Sequence, residues 1–207
     1  MMKFLITFII FLSSLFATAQ KDTSRQLDAQ GIDNIYIDTD EVFKILIKTS
    51  TNSDQISIST HSEGEYFNDI ALDTDRRENS IFLTTKFREI LQSGFDKLSA
   101  HKVFSLEITL EIPEGLQVFI RSNIASVEAK GTYNFMQVQL KSGYCDLSEF
   151  MGNALVNTYN GAITIQTTDA TVIASSRNGK VILPLVSKGK DTIKATSING
   201  DIRVVEN

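Results

Sequence analysis

Two histidines, one cysteine and one pair of carboxylates are the residues whose types and spacing could carry chemistry in this chain of 207 residues. His61 and His101 stand in different segments, and neither has a second ligand at metal-binding spacing. Cys145 is the lone cysteine, so no internal disulfide forms and no thiolate site can be built. It lies two residues after Gly143, on the same strand face as Leu147, and reads as a small, unreactive core residue. Glu128 and Asp146 occupy equivalent places in successive repeats, as grouped carboxylates do in polysaccharide lyases and hydrolases. The next equivalents are Thr164, Ile182 and Arg203, so the pair does not extend into an acidic row. Thr164, Thr167 and Thr168 cluster without recurring, which argues against an ice- or mineral-binding ladder. The Gly-x-Ser-x-Gly elbow, the P-loop and the calcium-binding nonapeptide are absent. No catalytic, cofactor or metal site is expected.

The elements that must position these residues repeat. Residues 171–179 read TVIASSRNG and residues 192–200 read TIKATSING, identical at five of nine positions. The register extends backwards to a corner position at Ala125, Gly143, Gly161, Gly179 and Gly200, at intervals of 18, 18, 18 and 21 residues. Two after the corner stand Val127, Cys145, Ile163, Val181 and Ile202; four after it stand Ala129, Leu147, Ile165, Leu183 and Val204. Seven before it stand Val118, Met136, Ala154, Val172 and Ile193; five before it stand Ile120, Val138, Val156, Ala174 and Ala195. Apolar residues two apart share one face of a strand. Each unit therefore has one strand before the corner and one after it, both facing inward. Glycine suits a corner with φ > 0 or a close backbone approach. Ser122, Thr158, Ser176 and Ser197, with Leu140 the exception, place small hydroxyls three before the corner, where they can bond the backbone.

Such units must stack to bury their faces. The expected fold is all-β: a right-handed β-solenoid of about five coils over residues 116–207, continuous with an irregular β-rich part over about 30–115. The alternative is a β-sandwich of hairpins, because Asn160-Gly161, Asn178-Gly179 and Asn199-Gly200 are also hairpin signals. Upstream, Ile35/Ile37, Phe43/Ile45/Ile47, Ile56/Ile58, Ile70/Leu72 and Ile81/Leu83 suggest short strands. Phe104 to Ile112 is the longest alternation, stopped by Pro113-Glu114-Gly115, where the apolar register shifts. The five-coil pattern is therefore not expected to continue upstream. Phe87, Ile90, Leu91, Phe95 and Leu98 have helical spacing, weakened by Gly94, and read as a short helix or a loop.

The first 19 residues read as a secretory signal peptide. Lys3, the apolar run Phe4 to Phe16 and Ala17-Thr18-Ala19 supply its three parts, with cleavage expected before Gln20. The run is too short to span a bilayer, no cysteine follows it, and no second apolar run anchors the mature chain. Residues 20–207 are expected to form one domain in the periplasm or at the cell surface. Without Lys3 the chain carries 19 basic and 25 acidic residues, which disfavours nucleic-acid binding.

The corners TYNGAITI, SSRNGKVIL and SINGDIRVV, behind a signal peptide and an irregular β-rich half, resemble exported bacterial adhesin-type proteins with a β-helix (head-GIN-like) domain. The resemblance covers about residues 30–207 and implies a non-catalytic envelope protein acting through its surface. It supplies no catalytic residues, and no cell-surface anchor is visible. The alternative is a carbohydrate-binding or carbohydrate-active β-helix protein. The candidate interaction surface is an outward apolar stripe six before the corner: Phe119, Leu155 and Ile173, the polar members of the set being Gln137, after Phe119, and Lys194, in the last unit. Leu155 and Ile173 are expected in adjacent coils, within about 5 Å. The stripe is either covered by the first half of the chain or exposed to a protein or glycan partner in the cell envelope, or to a second copy.

Overall fold

Alternating β-branched residues make every regular element among the described residues a strand. The computed structural model describes residues 20–51, 53–64, 70–87, 104–184 and 189–206. Residues 1–19, read above as an export signal, His101 and most of the segment with helical spacing lie outside them. In chain order the strands are β1 (Gln20–Asp28), β2 (Asn34–Thr39), β3 (Lys44–Ser50), β4 (Gln55–Gly64), β5 (Ile70–Arg77), β6 (Ser80–Phe87) and β7 (Phe104–Pro113). They continue as β8 (Gln117–Ser122), β9 (Ser126–Leu140), β10 (Cys145–Thr158), β11 (Ile163–Thr167), β12 (Ala170–Ser176), β13 (Val181–Ile182), β14 (Asp191–Ser197) and β15 (Ile202–Glu206). The described residues contain no helix. The strands expected from the first half's alternation are all present.

The fifteen strands form one mixed sheet that does not close. Its hydrogen bonds run in two ladders. The first has the order β1-β4-β7-β3-β9-β10-β11-β15-β13. The second has the order β5-β6-β2-β8-β9-β10-β14-β12. β9 and β10 belong to both, contributing their first halves to the first ladder and their second halves to the other. From β8 to β15 the chain passes alternately between the ladders, and every pairing in this part is parallel. The strands at the Asn-Gly corners thus pair with equivalent strands elsewhere in the chain, not with each other as hairpins. A two-layer, sandwich-like packing remains compatible with this sheet. Antiparallel pairs occur only in the first half, at β1·β4, β4·β7 and β5·β6.

The bend shared by β9 and β10 was not legible as a repeat. β10 shifts register against β9 between Ser148 and Phe150 and again between Met151 and Asn153. Gly131 (φ 111°) and Gly152 (φ 122°) take conformations that side-chain-bearing residues rarely adopt. Phe150 is fully buried there and stacks on Tyr133 with centroids 5.3 Å apart. The Tyr133 hydroxyl is shared between the carbonyls of Ile47 and Lys130, both at 3.1 Å. Its burial pushes its pKa up.

The inward columns run from β7 to β13 in the first ladder and from β6 to β12 in the second. Ile108, Ile45, Val127, Cys145, Ile163, Ile202 and Val181 pair in sequence across the first. Ile81, Ile35, Val118, Met136, Ala154, Ile193 and Val172 do so across the second. The register therefore does continue upstream, contrary to the sequence expectation. β2 and β3 insert between β6/β7 and β8/β9, so the shift at Pro113-Glu114-Gly115 is absorbed by a change in strand order. At the other end β14 and β15 insert between β10/β11 and β12/β13. Val181 and Leu183, read as inward, are 38% and 44% exposed because β13 is the last strand of its ladder and pairs only with β15. Cys145 is buried, and burial pushes its thiol pKa up.

The corner glycines are explained by proximity. A Cβ on Gly161 would meet the Gly143 carbonyl oxygen at 1.7 Å, and one on Gly200 would meet that of Gly161 at 1.9 Å. Of the two reasons for a corner glycine, close approach applies at Gly161, whose φ is not positive; among the corner positions only Gly143 has a positive φ. The hydroxyls perform as expected. Ser197 Oγ accepts from the Gly200 amide at 2.8 Å, Ser176 Oγ from Gly179 at 3.0 Å and Ser122 Oγ from Ala125 at 3.1 Å. Thr158 Oγ1 instead donates to the Gly161 carbonyl at 2.6 Å.

Candidate functional site: the outer face of the second ladder

Side chains that alternate with the inward columns of the second ladder form one continuous outer face. Its first column is Phe82, Tyr36, Phe119, Gln137, Leu155, Lys194 and Ile173, in pairing order. All three residues of the expected stripe lie in it. Leu155 and Ile173 are not neighbours, however. Lys194 of the inserted β14 pairs with both, which places them about 10 Å apart at two strand spacings. Phe119 is half-buried. It stacks on Tyr36 (4.7 Å, 11°), which stacks on Phe82 (4.8 Å, 8°), and Arg77 lies 5.0 Å over Phe82. These rings satisfy one another's faces and join β6, β2 and β8. Phe119 is covered by its strand neighbours, Leu155 is half-buried, and Ile173 is 55% exposed.

Two residues further along each strand, the second column reads Asp38, Arg121, Gln139, Asn157, Thr196 and Ser175. Asp38 grips Arg121 through two bonds, Nε at 3.1 Å and Nη2 at 2.5 Å, and this carboxylate raises the guanidinium's pKa. Thr196 Oγ1 bonds Asn157 Oδ1. A third column turns the corner: Asn123, Lys141, Tyr159, Ile198 and Arg177. Its order is fixed by amide-to-carbonyl bonds from Ser142 to Asn123, Asn160 to Lys141, Asn199 to Tyr159 and Asn178 to Ile198. Beside it Asn178 donates to Asn199 and Asn199 to Asn160, both at 2.7 Å, locking three corners together.

Columns two and three, Asp38 excepted, line an open groove of about 770 Å³; Asp38 and Asp40, outside the lining, bond its Arg121 and Asn123. Its lining holds Arg121, Lys141 and Arg177 and no carboxylate, although the chain has 25 acidic and 20 basic residues. A second groove, of about 680 Å³ beside the β9/β10 bend, balances Lys48 and Lys130 against Glu114 and Glu149, with Lys130 and Glu149 paired at 2.7 Å. The basic groove escaped the sequence reading because its corner column has no common residue type. Only the absence of acids from that column signalled it.

The remaining candidates lie elsewhere. Asp146 does pair with Glu128. Glu128 already binds Lys44 Nζ at 2.9 Å and accepts from Tyr144 OH at 2.5 Å, contacts that lower its pKa. Burial, then the Glu128 charge, raises that of Asp146. His61, at the far end of the first ladder, bridges Asp22 at 2.6 Å and Glu63 at 2.9 Å. No group of three His, Cys, Asp or Glu side chains could hold a metal among the described residues. No helix of the described residues is long and apolar enough to cross a membrane.

No family model and no curated protein matches the sequence. Among solved structures, the chain is similar in fold to a "putative cell adhesion protein" from Clostridium sporogenes. That likeness has a TM-score of 0.61 at 13% identity and covers 91% of this chain and 100% of the other. A "putative adhesin" from Bacteroides fragilis aligns over 89% of this chain and 97% of its own, at 16% identity, with a TM-score of only 0.41. At these identities the first likeness defines a shared all-β architecture, and the second carries no argument.

Proposed function

We propose that this is an exported, non-catalytic cell-envelope protein, adhesin-like in acting through its surface, and that the outer face of the second ladder is that surface. The mature chain, residues 20–207, would fold as one β-solenoid whose two sides are the two ladders. The strict alternation of strands between ladders from β8 onward supports this. The observation that carries the functional reading is the groove: an open surface whose lining holds three cations and no carboxylate, on a chain with net negative charge. It is assembled from β8, β9, β10, β14 and β12, all in the repeat half of the chain. Fluorescently labelled protein sedimented with washed bacterial envelopes tests the reading. Retention that falls when Tyr159 and Ile198 are both replaced by Ser supports it; absence of retention by the parent protein contradicts it.

A carbohydrate-active reading rests on one observation, the opposite pKa directions of Glu128 and Asp146, which an acid/base pair requires. Glu128 is already committed to Lys44 and Tyr144, and it borders a hollow whose lining does not include Asp146. Release of reducing sugar that disappears in Glu128→Gln would support this reading in place of the first.

A further inference from the structure

We infer that the corner groove binds an acidic polysaccharide, one whose sugar units carry carboxylate or sulfate groups. The inference rests on the proposal that this face is the working surface and names its ligand class.

Charge complementarity comes first. Lys141 and Arg177 are exposed and form no ion pair among the described residues, whereas Arg121 is held by Asp38. No lining residue is acidic. The two free cations sit three corner steps apart, with Tyr159 and Ile198 between them, a separation of about 14 Å at the spacing of adjacent strands. A ligand that meets both must be extended and must carry repeated negative charge.

The floor then selects the polymer. Gln139, Asn157, Thr196 and Ser175 present amides and hydroxyls, which both donate and accept, at one-strand intervals. A chain of hydroxyl-bearing rings offers the same mixture along its length. Tyr159, 50% exposed, adds a ring beside the floor. An acidic peptide would need main-chain partners, as in strand addition at a sheet edge. At Asn157 and Thr196 both neighbouring strands are already paired, so the floor between the two cations offers no free backbone edge; the one strand of the groove with an unpaired side is β12, at its end. Single-stranded nucleic acid would need successive stacking platforms, and the groove's lining has one aromatic residue.

The test is affinity electrophoresis and calorimetry of the mature protein with polygalacturonate, with dextran as the neutral control and polyglutamate as the acidic peptide control. Binding to polygalacturonate that weakens with salt, is absent for dextran, and falls at least about tenfold in Lys141→Ser/Arg177→Ser supports the inference; each lost phosphate-like contact also lowers the salt slope. An unchanged melting temperature for that variant shows that it folds, and Lys48→Ser/Lys130→Ser in the balanced groove should bind as the parent does. Equal binding of polyglutamate, or polygalacturonate binding unaffected by the double variant, overturns it. Retention on envelopes without polygalacturonate binding overturns the ligand class and leaves the surface reading standing; loss of both removes the surface reading too.

Discussion

Lys194 lies between Leu155 and Ile173 on the outer face of the second ladder and pairs with each of them. The same insertion puts Ile198 between Tyr159 and Arg177 at the corner, and Gly200 between Gly161 and Gly179. The last two strands of the described chain thus enter the stack one place before its end. They widen the groove by one strand and carry Arg177 away from Tyr159. The groove's length and the separation of its cations both follow from this order.

Gly161→Ala should be more damaging than a glycine-to-alanine change at a left-handed turn. The added methyl would face a backbone carbonyl at 1.7 Å, and only movement of the neighbouring corner can relieve it. Overpacking of this kind costs about 1–3 kcal/mol or more. Gly115→Ala, at φ 80° but in open space, should cost about 1–2 kcal/mol from backbone strain alone. Urea denaturation of both variants checks the order. Equal stability of Gly161→Ala and parent would mean that the corners do not touch.

Thr39 stands in the hydroxyl column beside Ser122, yet its buried Oγ1 has no hydrogen-bond partner. A buried unsatisfied hydroxyl costs about 1–3 kcal/mol. Thr39→Val keeps the shape and removes the polar atom. It should melt at or above the parent's temperature, whereas Ser197→Ala, which strips the Gly200 amide of its acceptor, should melt below it. A clear loss of stability in Thr39→Val would contradict this assignment.

His61 ties β1 to β4 through Asp22. Its hydrogen bonds to Asp22 and then Glu63 push its pKa up to about 9, above the ordinary 6.5. A raised folded-state pKa stabilises the fold below about 6.5, and that contribution disappears as pH rises through about 9. The site is exposed, so the effect is local and small. Amide exchange in β1, corrected for its intrinsic pH dependence, should lose protection between pH 7 and 10 in the parent and show no such step in His61→Gln. A pH-independent profile in both would contradict the bridge.

The inward columns were legible because burial demands them. Each inward position needs an apolar side chain, so Val127, Cys145, Ile163 and Ile202 announce one column despite their different sizes. The order of stacking was not legible for the same reason. Val181 and Ile202 are equally good partners for Ile163, and nothing in their side chains says which comes next. Upstream continuation was hidden because Ile35 and Ile45 pair with residues more than 80 positions later. The stripe residues Phe119, Leu155 and Ile173 alternate with the inward column along their strands. Their contiguity was inferred from chain order, which the insertion breaks. The groove drew on polar residues of mixed type, and such positions show no periodicity until the strands are paired.

The insertion that builds this surface is most directly measured by oxidative cross-linking in a Cys145→Ala background. Neighbouring strands place paired Cα atoms within the 4.4–6.8 Å that a disulfide accepts, and positions two strands apart exceed it. Leu155→Cys/Lys194→Cys should therefore oxidise readily to an intramolecular disulfide, and Leu155→Cys/Ile173→Cys should not. Cross-linking of the second pair in preference to the first would show that the repeats stack in chain order and that the groove described here does not exist.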